Sequence, residues 1–226
     1  YWNAFPRSPM VMDIEFLGEN YIIINNHFKC CGDGIIDFED SSDEENRRYI
    51  AINLIKEYID INHPNDNVIV LGDLNDDIAE EPPNNVFQEV LDDSSNYHFA
   101  DIEIAQGSSS EWSFPNWPSH LDHILITDEL FNEINSAQVQ VIKIDEFLDG
   151  GWSEYDQNIS DHRPVAIKIS LIPFFDFNND GFFNESDFEF LLLFIINENE
   201  HIHLIDINFD SVIDIYDLLI LSDFLF

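Results

Sequence analysis

Near its carboxyl end the chain repeats one twelve-residue pattern. Residues 176–187 read Asp-Phe-Asn-Asn-Asp-Gly-Phe-Phe-Asn-Glu-Ser-Asp; residues 206–217 read Asp-Ile-Asn-Phe-Asp-Ser-Val-Ile-Asp-Ile-Tyr-Asp. Such a density of short carboxylate and amide side chains favours turns over helix or strand. The spacing is that of a loop wrapping a cation. Ca²⁺ takes roughly six to eight oxygens, which such a loop supplies from positions 1, 3, 5, 7, 9 and 12. In the first loop these are Asp176, Asn178, Asp180, the Phe182 carbonyl, Asn184 and Asp187. In the second they are Asp206, Asn208, Asp210, the Val212 carbonyl, Asp214 and Asp217. Gly181 meets the sharp turn at position 6, where the second loop has Ser211, so the first is expected to bind more tightly. Phe183 and Ile213 suit packing of one loop on the other, and Phe188, Leu191, Leu192 and Ile195 follow helical spacing. A tandem repeat of this kind defines a separate small module over residues 174–226.

The rest of the chain, residues 1–171, reads differently. Tyr21–Ile24 and Val68–Leu71 are short β-branched runs bounded by Asn, Gly or Asp, hence buried strands. Ile50, Ala51, Leu54, Ile55, Tyr58 and Ile59 recur at helical spacing and predict a helix over Glu44–Ile61, its front solvated by Asp43, Glu44, Glu45, Arg47 and Arg48. Leu121–Thr127, Val139–Ile144 and Val165–Leu171 predict three more strands. Gly107–Pro118 and Gly150–Ser160 read as surface loops ahead of strands. Alternating elements imply a layered mixed α/β (α+β) core.

Charge narrows the partners. The chain carries 46 acidic against 8 basic side chains, a net −38, and residues 171–226 hold no Lys or Arg. That field repels nucleic acid and anionic lipid at long range, so a phosphate substrate needs local cations. Solubility, in salty surroundings where repulsion is screened, is the favoured reading of the excess. Hydrophobic residues at 45% exceed what a disordered acidic segment carries. No apolar run reaches the roughly 20 residues of a membrane span. Two cysteines, adjacent at Cys30 and Cys31, provide no disulfide framework; they remain thiols or pair with a preceding segment. The start at Tyr1, with no leader pattern after it, suggests a removed leader or a fragment.

Four short patterns carry chemistry, each at a strand end: Asn25-Asn-His27, Gly72-Asp73-Leu-Asn75, Ser119-His-Leu-Asp122-His123 and Ser160-Asp161-His162-Arg-Pro164. Singly, each is a turn or a structural histidine. Jointly and in order they describe a site, because polar strand ends are where an α/β core exposes reactive groups.

With Arg7-Ser-Pro9 they resemble the endonuclease/exonuclease/phosphatase superfamily from about Arg7 to Ser170. The resemblance implies a four-layer α/β sandwich, Mg²⁺ (or Mn²⁺) and phosphodiester hydrolysis. It implies that Asp73 orients or deprotonates the attacking water, while Asn75 binds the phosphate. Asp122 holds His162, and His162 serves as general base or stabilises the transition state. His27 donates to a phosphate oxygen, Arg7 contacts the phosphate and Asp161 is a Mg²⁺ ligand. Members of that superfamily carry two Glu residues upstream of the Arg-x-Pro segment, and Glu15 and Glu19 lie on its other side. The expectation is that the first third of the catalytic domain is absent, and that residues 1–170 alone are nearly inactive while a longer chain is active.

Residues 174–226 resemble a type I dockerin, an all-α EF-hand-type module of secreted bacterial proteins, which implies Ca²⁺ and a cohesin-like partner. The partner-selecting positions are Glu185–Ser186 and Ile215–Tyr216; they differ from each other, and the usual basic residues are missing. The expectation is a secreted enzyme, an endonuclease acting on nucleic acid. The alternatives are a phosphatase or sphingomyelinase-like lipid phosphodiesterase and, from another class, a non-catalytic scaffold. Trp112, Trp117 and Trp152 read as loop anchors before base-stacking platforms, and His201 with His203 as a weak metal pair.

Overall fold

Val68, Ile69 and Val70 run through the middle of a five-stranded sheet. The computed structural model describes residues 3–16, 19–134, 137–169, 175–178, 182–196, 206–208, 210 and 212–225. The sheet comprises β1 (Met10–Phe16), β2 (Glu19–His27), β3 (Asn67–Asp73), β4 (Tyr97–Phe99) and β5 (Asp122–Thr127), in the order β1-β2-β3-β5-β4. β2 and β3 are parallel, so a crossover must join them. Helix α1 (Glu44–Asn62) is that crossover, its start capped by the Asp43 carboxylate, which accepts from the Asn46 N–H at 2.7 Å. β5 runs antiparallel to β3 and β4.

Alternation along the strands divides the core in two. Ile22, Ile24, Val68, Val70 and Leu125 share one cluster with Ala51, Ile52, Ile55 and Ile59 of α1. Ile69, Ile124 and Ile126, with Tyr21, Ile23 and Leu71, share the other with Val165 and Ile167. The last two belong to β7 (Val165–Lys168), which pairs antiparallel with β6 (Gln138–Val141). The order is therefore helix, five-stranded sheet, two-stranded sheet, a mixed α/β architecture.

Among the described residues this part also has four short α-helices, α2 (Gln88–Leu91), α3 (Ile102–Ala105), α4 (Phe131–Ile134) and α5 (Gly151–Asn158). The chain divides into two compact units, Tyr1–Ile14 with Asn20–Ile169, and Glu15–Glu19 with Ser170–Phe226. In the second unit α6 (Glu185–Ile196) and α7 (Ile215–Leu225) bury Leu191, Phe194, Leu218 and Leu221 with Phe175 and Ile207. Phe183 and Ile213 pack against that cluster.

Three expectations need correction. Glu45 and Arg48 are not solvated but 2% and 3% exposed. Positions 45, 48, 52, 55 and 59 form one buried stripe at helical spacing, and a charged turn extends it because the charges are paired. The Arg48 guanidinium meets Asp76 at 2.7 Å and Glu45 at 3.2 Å, and donates to the carbonyls of Lys29 and Cys31. Residues 150–160 hold helix α5, anchored by Tyr155, which is 2% exposed. β6 ends at Val141, and Ile144 begins a separate 3-10 turn through Phe147.

Candidate active site on one rung of the sheet

The register places His27 of β2 opposite Asp73 of β3, and Asp73 opposite Asp122 of β5. Laterally paired residues project from the same face, so three strand ends deliver three of the predicted site side chains side by side. His162, on the turn before β7, completes the group: its Nδ1 lies 2.7 Å from Asp122 Oδ2. Asp73 Oδ2 is the focus, 3.6 Å from His27 Nε2 and 3.9 Å from His162 Nε2. Arg7 Nη1 donates to His27 Nδ1 at 2.9 Å, so the ring proton of His27 sits on Nε2, facing Asp73.

Local backbone explains the presentation. Gly72 has φ +132, and a Cβ there would collide with the Asn26 carbonyl of β2, so glycine alone fits. Asn75 takes φ +57, a left-handed conformation that Asn tolerates. Its N–H donates to Asp73 Oδ1 at 3.1 Å, leaving Oδ2 toward the histidines, and its Nδ2 donates to the Phe28 carbonyl at 3.3 Å. Asp161 is exposed, and the ligand-type group with atoms within 4.8 Å consists of Asp73, Asp122 and His162 without it.

Burial, then the neighbouring Asp122 charge, raises the Asp73 pKa against the opposing pull of His162 and His27. Burial works to lower the His162 pKa, but the hydrogen bond and charge of Asp122, with Asp73 and Asp161, carry it above the usual imidazole value. The pair therefore holds a proton more tightly than either group does in water.

On the opposite face of the same strand ends lies a polar network that sequence reasoning missed. Asp101, fully buried, accepts from His123 Nδ1 (2.6 Å), His120 Nε2 (2.9 Å) and the Ile124 N–H (2.8 Å). His123 Nε2 also meets the Asp76 carbonyl at 2.8 Å. Both partners of His123 accept, so both its nitrogens carry protons and the ring is a buried imidazolium. His120 Nδ1 accepts from the Ser113 N–H at 3.4 Å, so its proton is on Nε2, aimed at Asp101. The three groups bring ligand atoms within 4.8 Å of one another and hydrogen-bond one another. Asp101 follows β4 without a recognisable motif; only its place after Phe99-Ala100 would have drawn notice.

Other predicted positions fall as follows. Trp112 anchors its loop through Nε1 to the Ile104 carbonyl, and Trp152 donates to Asn116 Oδ1, while Trp117 is 78% exposed. The Phe114 ring lies 4.8 Å from the His162 ring. In the second unit Asp187 and Asp217 are fully buried. Asp187 accepts from the N–H groups of Asn178 and Asn184, Asp217 from those of Ile207, Asn208 and Asp214. Asp210 likewise accepts from the Val212 N–H. Among the described residues the two loops hold no group of three acidic side chains whose ligand atoms lie within 4.8 Å. Asp180, Gly181, Ser211, His201 and His203 lie outside the described residues. Cavities of ≈ 660 and ≈ 620 Å³ lie along β6 and share no lining residue with the rung.

No family model matches the chain, and no curated protein does. Among solved structures, a functionally unknown conserved protein from Enterococcus faecalis V583 is similar at 17% identity and a TM-score of 0.39, over 67% of this chain and 50% of that one. The chain thus spans half the length of that protein, and a likeness of this degree says nothing of function.

Proposed function

We propose that residues 1–171 are a Mg²⁺-dependent (or Mn²⁺-dependent) phosphodiesterase of the endonuclease/exonuclease/phosphatase type, built on that superfamily's four-layer sandwich. In this reading the protein is secreted, cleaves nucleic-acid phosphodiesters, and carries a dockerin-like Ca²⁺ module at residues 174–226. One observation carries the enzymatic part: His27, Asp73 and Asp122 share a rung, and His162 closes on Asp122.

The gaps of 3.6 and 3.9 Å around Asp73 Oδ2 exceed direct hydrogen bonds and suit an intervening oxygen. In the mechanism Asp73 Oδ2 accepts the proton of the attacking water. His27 donates from Nε2 to a non-bridging oxygen, oriented by Arg7, which acts through His27. Asp122 fixes Nδ1–H of His162, so its Nε2–H faces the phosphoryl group and offsets the charge that grows there. Asn75 holds the turn. A divalent ion, when bound, neutralises phosphoryl charge. The chemistry of the residues fits it: Asp73, Asp122 and His162 bring ligand atoms within 4.8 Å of one another, Asp161 is an exposed carboxylate next to His162 in the chain, and Mg²⁺ needs only one or two carboxylates with water. The Ca²⁺ module fits its ion chemically, since residues 171–226 hold no Lys or Arg to offset 12 acidic side chains.

Hydrolysis of plasmid DNA, sphingomyelin and nucleotide monoesters by the full-length protein, with and without Mg²⁺, tests this reading. DNA cleavage that needs Mg²⁺ is expected; hydrolysis of none of the three would overturn it. The net charge of −38 favours a second reading, a zwitterionic lipid phosphodiester as substrate, and sphingomyelin cleavage without DNA cleavage would select it.

A further inference from the structure

Cys30 and Cys31, the chain's two cysteines, sit in the loop that leaves β2 after His27. Both are exposed and neither is in a disulfide. In an extended segment consecutive side chains point to opposite sides. Here they face each other, with the Sγ atoms 3.1 Å apart. The backbone is wound to achieve this: Cys31 has φ +72, a conformation that costs a non-glycine residue energy. The winding is held from below. Arg48, itself buried, donates to the carbonyls of Lys29 (2.8 Å) and Cys31 (2.7 Å), and its partner Glu45 accepts from the Gly34 N–H at 2.7 Å. The fold therefore presents two thiols to each other on a fixed backbone.

We propose that Cys30 and Cys31 form a reversible vicinal disulfide by exchange with a low-molecular-weight disulfide, making this loop a redox modification site. The Cys30 thiolate attacks one sulfur of the reagent RSSR, and RS⁻ leaves, taking up the proton that Cys30 gave up. The resulting mixed disulfide is then attacked by the Cys31 thiolate, and the second RS⁻ leaves and is protonated. In sum the protein's two thiols lose two protons and two electrons, one S–S bond forms in the protein, and RSSR is reduced to two RSH. The order follows from the surroundings. The Lys29 ammonium lies 3.9 Å from Cys30 Sγ, beside the anion that attacks first. Cys31 donates its S–H to Cys30, and that bond, with burial, raises the Cys31 pKa. A trans peptide holds adjacent Cα atoms about 3.8 Å apart, short of the roughly 4.4–6.8 Å that disulfides prefer, so the ring is strained and readily reduced. Arg48 also holds Asp76, so the ring shares its anchor with the turn that carries Asp73.

Intact-mass spectrometry and iodoacetamide labelling of the whole chain test this, independently of any catalytic activity. After oxidised glutathione, the monomer should weigh less by two hydrogen atoms and take up no label, and dithiothreitol should restore two labelled thiols. Cys31→Ser should stop at one glutathione adduct on Cys30, the stage that the wild type passes through. Two thiols still labelled in the wild type, a persistent glutathione adduct on it, or a covalent dimer would each overturn the proposal.

Discussion

Asp122 faces two ways: it is the register partner of Asp73 across the sheet, and its Oδ2 accepts from His162 Nδ1 at 2.7 Å. One carboxylate thus ties a strand end to a turn 40 residues later.

Asp122→Asn removes the charge and weakens the bond that keep the His162 pKa up, while burial, which pushes it down, remains. NMR titration should therefore show the His162 pKa falling below its wild-type value. Turnover should drop ~100-fold with the fold retained, since an amide also presents the imidazole poorly. An unchanged His162 titration would show that Asp122 does not govern that ring.

Gly72→Ala introduces a Cβ against the Asn26 carbonyl at a backbone angle that L-residues rarely adopt. The parallel pairing of β2 with β3 must open for it to fit. Urea denaturation should show a loss of more than about 2 kcal/mol. A loss within the range of ordinary surface substitutions would mean that the strand ends tolerate separation.

The buried pair Asp101–His123 makes stability depend on pH in a predictable window. Burial opposes ionisation of Asp101, but His123 and His120 outweigh it and depress its pKa, so its contribution is present above the ordinary value of 3.8 and lost as pH falls below it. Burial likewise opposes charging of His123, but Asp101 outweighs it and the pKa rises above 6.5. That contribution is present below 6.5 and lost as pH rises through the raised value. The stability difference between wild type and Asp101→Asn should be largest from pH 3.8 to 6.5, at ~3 kcal/mol, and shrink on both sides. Urea midpoints across pH measure it; a difference flat from pH 3 to 9 would contradict the imidazolium assignment.

Calorimetry should find two Ca²⁺ ions per chain, with a gain of helix, because ion binding relieves repulsion among the loop carboxylates. Asp217→Asn should lose the second site and keep the first. No uptake at millimolar Ca²⁺ would rule out the loop reading.

The sequence makes β2, β3 and β5 legible because β-branched runs end abruptly in Asn, Gly and Asp. The polar tips of those runs are what the rung brings together. Register is not legible: nothing local says that residue 27 lies beside 73, which depends on how α1 seats its stripe on the sheet. Arg48 reads as solvent-facing because its pairing across 28 residues, to Asp76, leaves no mark at helical spacing, and Glu45 is buried with it as its i,i+3 partner. Asp101 was invisible for the same reason, its partners lying 19 and 22 residues away. Helix α5 shows a single strong apolar anchor, Tyr155, too little to display a period.

The most direct test of the rung as a catalytic centre is Mg²⁺-dependent phosphodiester hydrolysis by full-length wild type, His162→Ala and Asp73→Asn, with matched folding checked by circular dichroism. The account predicts a loss of at least ~100-fold in each variant. Wild-type rates in both variants would contradict it.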